Sequence, residues 1–172
     1  MKTRIGGAIV LALLMAGAAQ GAAGQDVEGE YTGPKQVISA NPFGLVFEWF
    51  NVEYERRLSD TFTFGFAGSY VPLDSGDDHY LSGNALVRYY PQGKALSGFY
   101  FGGRTGVYDV SDGGPNEVFF GAGFEIGYTW LLGKSDNFQL SLGAGASRLF
   151  GGTLDESAAV PTVRLLNVGL AF

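Results

Sequence analysis

Thr162-Val163-Arg164-Leu165-Leu166-Asn167-Val168-Gly169-Leu170-Ala171-Phe172 is the stretch on which the fold turns. Leu166, Val168, Leu170 and Phe172 form one apolar row, and Asn167, Gly169 and Ala171 form a second that is small or polar. Successive strand residues point to opposite faces, so this alternation reads as a strand with one greasy face and one thin face. The stretch stops on an aromatic, with no polar tail of the kind that usually frays into solvent.

The same alternation recurs upstream. It is clearest where Phe62, Phe64, Phe66, Gly68 and Tyr70 share one parity and Thr61, Thr63, Gly65, Ala67 and Ser69 the other. Leu81 to Tyr89, Phe99 to Val107, Val118 to Trp130 and Phe138 to Ala146 repeat it, with Ser82, Asn84, Arg88, Tyr100, Arg104 and Glu125 on the thin face. At the front, the apolar parity is odd from Val37 to Trp49 and even from Val52, and a continuous strand cannot change parity without a bulge or turn. A hairpin turn is therefore expected near Trp49-Phe50-Asn51, with Asn41-Pro42-Phe43-Gly44 as a rival of better turn chemistry. The count is eight segments, most long enough to cross a bilayer at a tilt. Connections near Asp60, Gly93 and Ser135 are short; those near Asp77, Gly114 and Asp155 are longer and acidic. Short turns at one end and longer loops at the other are the habit of up-and-down membrane barrels.

The front differs from the rest. Met1-Lys2-Thr3-Arg4 is basic, Ile5 to Ala16 is apolar, and small residues follow to Ala23. This reads as a secretory signal peptide over residues 1–24, cut after Ala18, Ala23 or Gly24, and too short for a spanning helix. Residues 25–35 read as a polar periplasmic arm, and 36–172 as the barrel. There is no cysteine, hence no disulfide framework, thiolate metal site or lipid-attachment cysteine. Net charge is 11 − 17 = −6, which disfavours a nucleic-acid partner.

A secreted lipocalin-like carrier would share the alternation but place its apolar row inward. The second row decides between them. It holds mostly Gly, Ser, Thr, Ala and Asn, whereas a water-facing surface wants roughly a quarter to a third charged residues. Aromatics also gather at strand ends: Tyr54, Phe62, Tyr89, Tyr90, Phe99, Tyr128, Trp130, Phe138 and Phe172 toward one rim, and Trp49, Tyr70, Tyr80, Tyr108, Phe119 and Phe150 toward the other. Two aromatic girdles are expected of a membrane barrel. The fold class read from the sequence is thus all-β, an eight-stranded antiparallel up-and-down transmembrane barrel.

Residues 36–172, with the Asn41-Pro42-Phe43-Gly44-Leu45 and Asn51-Val52-Glu53-Tyr54-Glu55-Arg56-Arg57-Leu58-Ser59 segments, resemble the small bacterial outer-membrane barrels of the OmpX-like and OmpA-transmembrane-domain-like kind. The resemblance implies an outer-membrane location with both termini periplasmic. It implies lipid and lipopolysaccharide as surroundings, and an assembly machinery that reads Leu166, Val168, Leu170 and Phe172. It implies no single activity, because such folds host adhesins, enzymes and anchors. A monomeric barrel without cofactor or enzymatic activity is the expectation, with a lipid-modifying enzyme or a narrow channel as alternatives.

Three sets of residues carry chemistry worth locating. Arg88, Arg104 and Glu125 share inward parity on consecutive strands, and inward Gly102, Gly106, Gly121 and Gly123 leave room for long side chains. We expect a lumen ion-pair network of Glu125 with Arg104 and then Arg88, packed by Tyr100 and Tyr108, and serving as a structural plug. Glu53 and Glu55 flank outward Tyr54 and read as inward or rim charges. Asp74, Asp77 and Asp78 form an acidic loop of the type that takes a divalent cation. His79, the one histidine, is three residues from Ser82; on a strand the two face opposite ways and cannot form a nucleophile–base pair.

Overall fold

Strands with a large apolar face and a small polar face leave two edges unless the sheet closes on itself. The computed structural model describes residues 31–46, 49–72, 79–111, 117–151 and 158–172. Its strands are β1 (Gln36–Ala40), β2 (Phe50–Arg57), β3 (Phe62–Pro72), β4 (His79–Tyr89), β5 (Gly98–Ser111), β6 (Glu117–Leu132), β7 (Phe138–Gly151) and β8 (Ala158–Ala171), with one helical turn, α1 (Pro42–Val46). They form a closed barrel in sequence order. All neighbours are antiparallel, as the alternation and short turns imply.

Closure depends on the stretch quoted first. β1 pairs with β8 through Val37↔Ala171, Ile38↔Leu170, Ser39↔Gly169 and Ala40↔Val168. The Phe172 amide donates to the Gln36 carbonyl at 2.9 Å, and the Lys35 and Gln36 amides donate to the Phe172 carbonyl at 2.9 and 2.8 Å. Further along, Ser141 pairs with Asn167 but Gly143 with Arg164. Leu165 and Leu166 together therefore oppose Leu142, a bulge in β8. The apolar row that begins at Leu166 begins where this bulge resets the register.

The first hairpin corrects the sequence reading. Phe50 and Asn51 lie inside β2, not in a turn. The chain reverses at Asn41-Pro42, the rival position. Asn41 Oδ1 accepts from the Phe43 amide (2.9 Å) and the Gly44 amide (3.2 Å), so Asn41 caps α1 and Pro42 starts it. The physical reason is that Val37 faces inward and is 1 % exposed, while Ile38 faces outward. β1 and β2 thus both carry outward residues at even positions, and the odd apolar residues between them belong to the connection.

The barrel is inside-out relative to a water-soluble one. Phe66, Phe101, Phe124 and Leu170 are 51–63 % exposed on its outer surface, whereas Thr63, Ser82, Asn84, Arg88, Glu125 and Ser141 are buried. The phenylalanine rows on β3, β5 and β6 turn away from the axis. At the short-turn end, Tyr89, Tyr128, Trp130 and Phe138 face outward, with Phe62 on Tyr89 (5.0 Å) and Tyr128 on Trp130 (4.6 Å). The girdle expectation needs correction at four residues. Tyr90 is buried at the barrel mouth, Tyr108 and Phe119 are buried, and Tyr80 lines the interior. Their position near strand ends was visible in the sequence; their inward parity takes them out of the girdle.

Candidate functional site

The interior divides into a packed half, toward the β2–β3, β4–β5 and β6–β7 turns, and a hollow half toward α1. In the packed half, register brings the charges together. Gly102 of β5 is opposite Arg88 of β4 on one side and Glu125 of β6 on the other. A Cβ on Gly102 would stand 2.7 Å from Glu125 Cγ and 3.2 Å from Arg88 Cγ. That glycine is the space through which the two side chains meet.

Arg88 is the centre. Its Nε donates to Glu125 Oε1 at 2.6 Å, and its Nη1 donates to Glu53 Oε1 at 2.8 Å and to Glu55 Oε2. Glu55 Oε1 also accepts from Thr63 Oγ1 (2.5 Å) and from the Tyr90 hydroxyl (2.9 Å). The guanidinium carbon lies 4.7 Å from the centre of the Tyr100 ring. Arg88, Glu53, Glu55 and Glu125 are all under 5 % exposed. Removing such ions from water costs several kcal/mol each, so geometry and extra hydrogen bonds must repay it. Arginine suits the role because its planar fork stays charged and presents several donors.

Sequence reasoning brought Arg88, Arg104 and Glu125 onto one face but ordered them differently. Arg104 Nη1 forms an ion pair with Glu125 Oε2 at 3.7 Å, beyond hydrogen-bond reach, and Arg88 makes the closer contact with Glu125 at 2.6 Å. The reason is register: Arg88 faces Gly102 directly, whereas Arg104 lies two residues further toward the hollow half. Tyr108 does not pack on the cluster; its hydroxyl donates to Asn84 Oδ1 at 2.6 Å. Two members of the network, Glu53 and Glu55, had only their inward parity as a signal.

The packed half also has a stopper. The β4–β5 connection folds across the barrel mouth, with Tyr90, Ala95 and Leu96 fully buried. The Tyr90 amide donates to the Thr61 carbonyl (2.7 Å) and the Ala95 amide to the Asp60 carbonyl (2.8 Å). Leu96 packs with Val37 and Ala171 and takes φ = 71°, a left-handed conformation that costs a non-glycine residue about 1–2 kcal/mol. Burial of the leucine, worth about 1.5–3 kcal/mol, offsets that cost. In sequence this leucine follows a turn motif and carries no periodic signal.

In the hollow half, a cavity of about 450 Å³ reaches from Glu53 and Arg104 at its floor to Asn41 and Trp49 at its rim. Amides and hydroxyls line it, including Asn51, Ser82, Asn84 and Asn167.

The remaining candidates fall elsewhere. Leu170 and Phe172 of the terminal row are about 60 % exposed on the outer face, and Leu166 and Val168 are half-buried. His79 stacks on Tyr70, and its Nε2 is 4.0 Å from Asp109 Oδ2; Ser82 is buried in the interior on the other side of the sheet. Asp74, Asp77 and Asp78 lie outside the described residues, as does the 1–24 segment. Among the described residues no cluster of His, Cys, Asp or Glu is disposed to hold a metal ion.

Residues 9–150 match the family described as "Protein of unknown function (DUF3575)". The chain belongs to this family. The matched span contains Glu53, Glu55, Arg88, Arg104 and Glu125, so the whole network lies within the family region. No curated protein matches the chain. No solved structure matches it either.

Proposed function

We propose that this DUF3575 chain is an integral outer-membrane β-barrel with a plugged lumen, structural or surface-interacting in role and not an open pore. The observation that carries this reading is the inverted surface: large apolar side chains such as Phe66, Phe101 and Phe124 stand outside a polar interior. Each such side chain gains about 1.5–3 kcal/mol when removed from water. Lipid supplies that environment over a continuous band; a monomer in water rarely leaves so large an apolar surface bare. A closed barrel also satisfies the backbone, as a bilayer requires. In this reading residues 1–24 are a removed export signal, and both ends of the barrel chain are periplasmic. The barrel assembly machinery reads the Leu166 to Phe172 row, and the outer leaflet lipopolysaccharide surrounds the α1 end.

The plug supports a structural role over a channel. Arg88 with its three carboxylates, together with Tyr90 and Leu96, occupies the lumen of a barrel whose eight strands leave little room. The expected behaviour is outer-membrane fractionation of the full chain and insertion of the refolded barrel into phospholipid vesicles. Planar bilayers should carry no stable large conductance. A barrel that stays monomeric in detergent-free buffer and ignores vesicles would overturn the membrane reading.

A further inference from the structure

We propose that the short-turn end of the barrel binds the headgroups of anionic phospholipids through a ring of exposed cations, Lys35, Arg56, Lys94 and Lys134. The proposal rests on the membrane reading above and adds to it a lipid class and the end of the barrel that meets it.

The four cations come from different parts of the circumference. Lys35 precedes β1, Arg56 is the penultimate residue of β2, Lys94 lies in the β4–β5 connection and Lys134 in the β6–β7 turn. The strands close in sequence order, so these positions are spread around one rim and not gathered on one side of it. All four residues are exposed. A protein docking from one side would meet part of such a ring, whereas a lipid leaflet surrounds all of it.

The level of the ring matches a headgroup layer. Arg56 shares the outward parity of Val52 and Tyr54 and lies one step beyond Tyr54, whose hydroxyl donates to Gln36 Oε1 at 2.6 Å. Lys134 follows outward Trp130 and Leu132. With Tyr89, Tyr128 and Phe138, these aromatics form the outward girdle at this end. Tyrosine and tryptophan settle at the membrane–water interface, so cations just beyond them lie at the phosphates. Lysine and arginine stems cover apolar surface while their charged heads reach the polar layer. Their charge-assisted hydrogen bonds suit phosphate oxygens.

The other charges at this end are mostly engaged. Asp60 is half-buried and accepts from the Tyr31 amide at 3.4 Å. Arg57 is half-buried too; its Nη1 donates to the Tyr31 carbonyl at 2.5 Å and its guanidinium carbon lies 5.2 Å from the centre of the Tyr31 ring. Exposed Asp136 shares a turn with Lys134. The opposite end differs in sign: its connections hold Asp74, Asp77, Asp78, Asp112, Asp155 and Glu156, and no Lys or Arg lies in residues 73–78, 112–116 or 152–157. Attraction to an anionic leaflet therefore acts at the short-turn end. Asp26, Glu28 and Glu30 precede Tyr31 in the chain, so the test keeps that segment.

The test is electron paramagnetic resonance of spin-labelled lipids around residues 25–172, the chain as exported in that reading, refolded into phosphatidylcholine vesicles. Labelled phosphatidylglycerol should be held at the barrel surface at least about threefold over labelled phosphatidylcholine, and high salt should reduce the ratio. The triple variant Arg56→Gln, Lys94→Gln, Lys134→Gln should bring the ratio close to unity. Arg148→Gln, an exposed cation toward the other end, should leave it unchanged. Circular dichroism and protease resistance report folding; if the triple variant fails to fold, Lys134→Gln, a single change in an exposed turn, should lower the ratio by itself. Failure of the parent to insert would overturn this proposal together with the membrane reading. Insertion with equal retention of both lipids overturns the proposal alone. So does a folded rim variant with the parent's ratio, or an Arg148→Gln variant that loses the preference.

Discussion

The two halves of the lumen are built from the same strands under the same parity rule, yet one is solid and the other hollow. In the packed half, Arg88 and Glu125 meet across Gly102, Glu53, Glu55 and Tyr100 gather on Arg88, Tyr90 bonds Glu55, and the β4–β5 connection brings in Leu96 from outside the strand pattern. In the hollow half, Asn51, Ser69, Ser82, Asn84 and Ser147 present short side chains, and Tyr80, Tyr108 and Leu149 line the cavity between them. Small residues inward thus give room, and a few long ones placed at one level decide which part of the room is filled. Buried ion pairs fill the first half, and the second leaves a cavity.

Substitutions should break this contrast with graded effects. The largest is Arg88→Met, which strands three buried carboxylates; we expect a loss of about 3–5 kcal/mol in urea unfolding of the vesicle-inserted barrel. A parent-like midpoint would show that the cluster contributes nothing. Leu96→Ala should cost about 2–4 kcal/mol by opening the stopper, with solvent exchange rising first at the Tyr90 and Ala95 amides. Leu96→Gly relieves the positive φ and should recover part of that loss; equal destabilisation by both would argue that the backbone is unstrained. Phe66→Arg, on the outer face at mid-strand, should cost about 2–4 kcal/mol in vesicles if that face meets lipid, and near zero if it meets water. Gly102→Ala should cost about 1–3 kcal/mol through overpacking against Glu125 and Arg88. The smallest effect on stability is expected in the hollow half. Asn84→Ala removes the acceptor of the Tyr108 hydroxyl and should cost about 1 kcal/mol by the same unfolding measurement.

How much of this was legible in advance depends on whether a feature is local. Parity is a property of neighbouring residues, so the inward positions of Arg88, Arg104, Glu125, Glu53 and Glu55 were readable along their own strands. The position of the first hairpin was not, because the odd-numbered apolar residues from Phe43 to Trp49 imitate a strand row while the Asn41 cap sets the reversal. The aromatic girdle was half readable: strand-end placement is local, but at Tyr80, Tyr108 and Phe119 inward parity took precedence over it.

The sequence by itself determined the eight alternating segments, the outward phenylalanines and the small inward residues, since a side chain's face follows from its place in an extended chain. Only the tertiary structure decided that Arg88 hydrogen-bonds Glu125 while Arg104 pairs with it at 3.7 Å, that Leu96 closes one end and that a cavity remains at the other. Those outcomes depend on the register between strands far apart in the chain. A shift of two residues preserves every side chain's face while changing which charge meets which.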